Sequence, residues 1–257
     1  DEERKAAVAL RDACDREGVH YDNRFQIVKY VLVAHSSVDD ANPKAAELRL
    51  QAALKRLKRR NEWAEKIGLR SVDAAAALKE VEEKFPSYFV NLFSKDKNGC
   101  IVVAHHHAFS PIAYVNATKT NLAKFFAVEQ YKMELAAADL DEARRGIALV
   151  TISDGKLTLK RALAYIRLCM VIAKGNLSDM HPHRIKHVYS QVPAFVSHLI
   201  EPAKQLLPKK IASRIHVVKT MEELDELLDQ QKVLRTTVAW AAEREKKYNE
   251  TVQSLAF

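Results

Sequence analysis

The first 84 residues place apolar side chains at helical spacing. Ala6, Leu10 and Ala13 share one face of a helix over residues 1–16, and Gly18 is its stop. Phe25, Val28 and Leu32 mark a second amphipathic stretch, after which Asn42-Pro43 restarts the chain. From Ala45 to Ile67 the apolar positions Leu50, Leu54, Leu57, Trp63 and Ile67 recur at helical spacing, closed by Gly68. Ser71 stands where it would cap a further helix through Ala74 and Leu78. At Phe85-Pro86 the pattern changes to short apolar runs bounded by turn residues. Residues 100–104 follow the turn Asp96-Lys97-Asn98-Gly99, and residues 146–152 precede Ser153-Asp154-Gly155. Two more runs are Val188–Ser190 and Ile215–Val218. Helix-length segments at 121–138, 158–173 and 194–207 separate them.

Apolar strands alternating with helices predict an α/β fold, with a mainly parallel sheet flanked by helices behind a small all-helical region. Beyond Thr220, which pairs with Glu223 as a capping box, the chain reads helical again. The expected divisions are 1–84, 85–222 and 223–257.

Composition narrows the classes. With 48% hydrophobic and 29% charged residues the chain is neither wholly disordered nor, with six glycines, collagen-like. No apolar run reaches 18 residues and no secretory pattern opens the chain, so a cytoplasmic protein is expected. Cys14, Cys100 and Cys169 are odd in number and widely spaced, which suits a reducing compartment and fits neither a disulfide framework nor a zinc site.

The net charge of +8 is uneven. Residues 182–220 carry Arg184, Lys186, Lys204, Lys209, Lys210, Arg214 and Lys219 against the single acid Glu201. Such a patch attracts phosphate, on nucleic acid or on an anionic membrane, but with only Tyr189 and Phe195 as aromatics and no recognised nucleic-acid motif, nucleic acid is not expected. A second run, Lys55, Arg56, Lys58, Arg59 and Arg60, reads as a solvated helix face.

Enzyme signatures are missing: no glycine-rich phosphate loop and no nucleophile elbow follows any strand. His105-His106-His107 leaves three readings open: polar strand-end residues, a two-histidine metal site short of a third ligand, or contact with a ligand's polar end. His181 and His183 flank Pro182 beside the basic patch and would add charge below neutral pH.

Residues 180–216, from Met180-His181-Pro182-His183-Arg184 through Gln191-Val192-Pro193 to Arg214-Ile215-His216, resemble the CRAL-TRIO lipid-binding family, closest to its α-tocopherol-transfer and cellular-retinaldehyde-binding branch. Gly146-Ile147, the segment Thr158–Leu163 and the pair Phe85-Pro86 with Asp96–Gly99 are similar to the parts that precede it. Residues 24–69 resemble that family's helical N-terminal region. The chain departs from the family at Gln191, which stands for an Asn, and at Pro202-Ala203-Lys204. It also departs at Val28–Ala34, which keeps little of the usual charge, and in lacking a closing Gly-Gly motif. Ser197–Glu201 does not match the Thr and Lys that hold an inositol phosphate in the phosphatidylinositol-exchanging branch.

The resemblance implies an intracellular carrier, not an enzyme, with no cofactor or metal. It would hold one tocopherol-, retinoid- or other lipid-like ligand and associate transiently with membranes. Its pocket would lie between the sheet and a lid helix at 194–207, lined by Phe126, Glu129 and Met133 from one helix and by Ile147, Leu149 and Thr151 from one strand. Ala173, Leu177 and Val188, with Phe195 and Leu199 of the lid, complete the expected lining. Pro193, Pro202 and Pro208 bracket and interrupt the lid as hinges. Glu129 would either meet a ligand hydroxyl or, with a small register error, face solvent. Arg184, Lys186, Lys210 and Arg214 match the positions that bind a phosphoinositide headgroup beside the lid. A non-carrier scaffold of the same fold, binding a small GTPase or another protein, is the alternative.

Overall fold

A computed structural model describes residues 2–35, 37–84, 90–91, 95–106, 119–152, 182–192, 212–228, 234–235 and 238–257, with six positions between 197 and 205. Three helices open the chain: α1 (Glu2–Glu17), α2 (Arg24–His35) and α3 (Ala45–Ile67). Gly68 ends α3 in the left-handed conformation, its N–H returning to Ala64 and Glu65, as expected of a glycine at that place. The cap of α4 (Ala74–Lys84) differs from expectation. Asp73, not Ser71, accepts from the N–H groups of Ala75 and Ala76 at 3.0 Å, while Ser71 Oγ turns back to Gly68 O. Only Asp73 stands directly before the unpaired N–H groups of the first turn.

The α2 helix is buried all round rather than on one stripe, from Phe25 to Leu32 without a break. It runs through the middle of the molecule. One apolar cluster joins Leu10, Phe25, Ile27 and Leu57 of the opening helices to Val103, Met133 and Ile147, with Tyr248, Val252 and Phe257 packed against it. Helices α1, α2 and α3, the sheet and the closing helix therefore share a core.

The sheet contains β2 (Ile101–His106), β3 (Ile147–Ile152), β4 (Ile185–Gln191) and β5 (Ile215–Val218), in that spatial order and all parallel. A short antiparallel ribbon pairs β1 (Val90–Asn91) with β6 (Leu234–Arg235). Between β2 and β3 lie α5 (Lys119–Ala136) and a helix the sequence reading missed, α6 (Leu140–Arg145). Asp139 and Glu142 close a full capping box around α6, which is what stabilises so short a helix. The strand expected over 188–190 extends to seven residues because Ile185 and His187 pair with β3 on either side of the irregular Lys186, and Gln191 pairs with Val218 of β5.

Thr220 caps α7 (Met221–Leu227), accepting from Glu223 N, but the expected box is not closed, because Glu223 Oε2 accepts from Lys219 N. The last helix, α8 (Val238–Ser254), sends Arg244 to the final carbonyls of α5, Leu135 O at 2.7 Å and Ala136 O at 3.1 Å, and to Glu142. A cation at a helix C-terminus satisfies orphan carbonyls and opposes the helix dipole. Among the described residues no helix is long and apolar enough to cross a membrane.

Candidate functional site

The two faces of the sheet differ. Ala148, Val150 and Ile152 of β3 point to one face, where they join Cys100, Val102, Tyr189 and Val218 under α7. Ile147, Leu149 and Thr151 point to the other, as the period of two demands. On that second face, Leu149 pairs in register with Val188, Val188 with Ile215, Thr151 with Ser190, and Ser190 with Val217. Thr151 Oγ1 lies 3.0 Å from Ser190 Oγ.

The second face is unevenly covered. At β2 and β3 the core closes over Val103 and Ile147, with Met133 of α5 packed above. Further along, Leu149, Val188, Ile215 and Val217 are only half-buried. They form a continuous apolar strip running from the middle of the sheet to its β5 edge. Val192, just past β4, is buried, and both Ile200 and Val217 pack against it. Of the segment expected as a lid, Ser197, His198, Ile200, Pro202 and Lys204 have helical backbone. Phe195 and Leu199, together with Ala173, Leu177 and Lys210, lie outside the described residues.

The α5 residues expected in the pocket go to different places. Met133 enters the core against the sheet. Phe126 meets Trp63 of α3 edge-on at 4.7 Å, in a cluster that contains no sheet residue. Glu129 is 8% exposed, so the solvent-facing alternative fails. Burial pushes its carboxyl up to about 7, against the opposing pull of Lys132 one turn on. A carboxyl at that value can donate as well as accept near neutral pH.

Three of the four basic positions gather at one end of the sheet. Arg184 donates to Arg144 O at 3.1 Å, and Arg214 donates to Ile185 O at 2.9 Å. Lys186 occupies the irregular position where the β3–β4 register shifts, between the partners of Ile147 and Ala148. One anchored nitrogen on each guanidinium leaves its other donors available to an anion. This is the end to which the chain returns after segment 194–207, just before β5.

The opposite face holds a polar group that sequence reading did not assemble. His187 and Tyr189 of β4 and His216 of β5 stack there, with ring centroids 5.2–5.7 Å apart. Asp96 and Cys100, on the turn before β2, reach the same point. The alternation of His187 with Tyr189 was the available signal, but Asp96 and Cys100 are remote from it in sequence. The side chains of His105 and His106, and His107 altogether, lie outside the described residues.

A cleft of about 180 Å³ opens elsewhere, between α3, α4 and α5, lined by Asp22, Arg60, Arg70, Gln130, Tyr131 and Glu134 among others. Arg60, 5% exposed on its side chain, donates to Asp22 there at 2.5 Å, so charges of both signs already answer one another.

No family model and no curated protein matches the chain.

Proposed function

We propose that this protein is a non-enzymatic carrier that holds one small lipophilic molecule against the second face of its sheet and releases it at anionic, phosphoinositide-containing membranes. The observation that carries the reading is the half-buried apolar strip Leu149, Val188, Ile215 and Val217, whose Leu149 end packs against the closed core. Strands that advance in one direction across a parallel sheet have right-handed crossovers that all return over one face. The first of these, through α5, covers the face of Ile147. A chamber on that face would be floored by Leu149, Thr151 and Val188, with Ile200 toward its far end. Its CRAL-TRIO-like character rests on the sequence resemblance.

A lipophile burying about 300 Å² of apolar surface there would gain roughly 7 kcal/mol before the costs of immobilisation. Saturable one-to-one binding to at least one fluorescent retinoid, tocopherol or phospholipid is the expected result. Failure across that panel by folded protein would turn the reading toward a scaffold of the same architecture. Leu149→Trp fills the chamber, so ligand affinity drops by at least about tenfold with the melting temperature unchanged. Were Leu149 ordinary core, overpacking would instead cost roughly 1–3 kcal/mol of stability.

Delivery assigns the basic group its role. Arg184, Lys186, Lys210 and Arg214 would dock an anionic headgroup near the end of the lid segment, coupling membrane contact to opening. Each basic side chain near an anionic leaflet contributes about 1 kcal/mol, less at physiological salt. Replacing all four with Ala therefore weakens binding to anionic liposomes by a few kcal/mol at most, about 4 as the upper bound. Transfer to those vesicles slows, while ligand affinity in solution is kept. Co-sedimentation and transfer rates, with and without phosphoinositide, read both effects. Equal behaviour of the variant and the wild type would reduce the group to a solvated surface.

A further inference from the structure

We propose that Asp96, Cys100 and His187 form a binding site for a thiophilic divalent cation, zinc in the first instance, on the face of the sheet opposite the apolar strip. Their ligand atoms, one carboxylate oxygen, one sulfur and one ring nitrogen, all lie within 4.8 Å of one another. Around a tetrahedral zinc ion such atoms sit roughly 3.4–3.7 Å apart, so closure needs side-chain shifts of about an ångström. Carboxylate, thiolate and imidazole form a donor set suited to zinc, with the fourth position left to water.

The fold prepares each ligand. Asp96 Oδ1 is held by the N–H groups of Asn98 and Cys100, both at 2.9 Å. Oδ2 accepts from Tyr189 Oη at 3.2 Å and keeps a lone pair toward His187 Nε2, 4.0 Å away. The amide nitrogen of Asn98, 3.1 Å from His187 Nε2, can only donate, so Nε2 carries the lone pair. The ring hydrogen is then on Nδ1, which donates to His216 Nε2 at 3.3 Å. This outer partner fixes the tautomer a metal-binding histidine requires.

Cys100 and His187 come from chain segments on either side of β3: His187 is the register partner of Ala148 on one side, and Cys100 stands two residues before Val102, the partner of Ala148 on the other. The Cys100 thiol now faces Arg145 O at 3.6 Å, and burial pushes it up to about 11. Coordination forms the metal–sulfur bond, breaks the S–H bond and passes the proton to solvent. The His187 side chain, 27% exposed, gives the ion a way in. A cation held here would tie the turn before β2 to β4, on the face opposite the apolar strip, with Lys186 and Arg184 of the basic group within Coulombic reach of Cys100.

Cobalt(II) is the probe. Protein purified with chelator and then dialysed free of it should bind one equivalent of Co2+. A thiolate-to-cobalt charge-transfer band in the near ultraviolet and tetrahedral bands in the visible should appear, and Zn2+ should bleach both. Cys100→Ser should abolish the near-ultraviolet band, whereas Cys14→Ser and Cys169→Ser should keep it. His187→Gln, at a half-buried position that a similar-sized amide fills, should weaken Co2+ binding by at least about tenfold, the floor for loss of even an outer partner. The proposal is overturned if wild-type protein gives no charge-transfer band, or if the band survives Cys100→Ser. Should Cys100→Ser fail to fold by circular dichroism, unchanged Co2+ affinity in folded His187→Gln overturns it as well.

Discussion

Replacing Lys29 with Met makes the protein more stable at pH 7, by about 1–2 kcal/mol. Lys29 lies in the middle of α2, 2% exposed, and among the described residues no acceptor is hydrogen-bonded to its Nζ. The ammonium instead sits 4.2 Å from the Phe25 ring centroid and 5.0 Å from that of Tyr248. Burial lowers its pKa from 10.5 to about 8, with Glu134 and Glu142 pulling the other way. That difference corresponds to roughly 3 kcal/mol of destabilisation of the charged form. Met removes it, keeps an unbranched side chain of similar length and gains sulfur–aromatic contact, at the loss of a cation–π interaction worth about 0.5–2 kcal/mol.

The sign with pH follows. Between pH 8 and 10.5 the unfolded chain binds the Lys29 proton more fully than the folded one, so this residue's contribution to stability rises with pH across that window. Below pH 8 the penalty is present in full. Cys14 and Cys100, pushed up to about 11 by burial, act in the opposite direction at alkaline pH, so the readout is the difference between wild type and variant. Denaturant titrations should show that difference shrinking from pH 8 to pH 10.5. A variant no more stable at pH 7, or a difference flat with pH, would mean that the folded protein tolerates the charge at no cost.

Gly146→Ala destabilises by at least about 3 kcal/mol, because backbone strain and a steric clash act together. Gly146 closes α6 and opens β3 at φ 90° and ψ −175°, a region open essentially to glycine alone. A Cβ built there would lie 2.4 Å from Arg184 O, a main-chain atom that cannot swing aside. Arg184 O is itself held by Ile147 N at 2.8 Å, so relief would have to break the first rung between β3 and β4. The same movement would displace Arg184 and Lys186, and binding to anionic liposomes should fall with stability. Thermal unfolding and co-sedimentation of the Ala variant test both. Near-normal stability would mean that the β3–β4 junction yields easily.

Much of this architecture was legible along the chain because its signals are local. The αL glycine after Ile67, the Thr220 cap and the strand at 215–218 each depend on a few adjacent residues, and each stands where its pattern placed it. The parallel sheet follows from apolar runs too short for helices and separated by helix-length segments, and no long-range knowledge was needed to expect it. The Gly146-Ile147 pair was legible as a strand opening. That the glycine is required by the carbonyl of Arg184, 38 positions on, was not.

Other features depend on which elements become neighbours. Phe25, Val28 and Leu32 predict an amphipathic helix, yet α2 is enclosed on every side because α1, α3 and α8 pack around it, and only that enclosure puts Lys29 between two aromatic rings. Glu129 had two readings until the packing of α5 buried it. Cys100 was set aside as a metal ligand on spacing alone, since spacing measures distance along the chain. The structure brings Cys100 and His187 together from the two sides of β3, over a separation of 87 residues. Local propensity and period determined most of the described helices and the four strands of the parallel sheet, though not α6 and not the full enclosure of α2. Which faces meet, which polar groups lose their water and which distant side chains converge was decided by tertiary packing, because burial and proximity are properties of the assembled elements and of no segment alone.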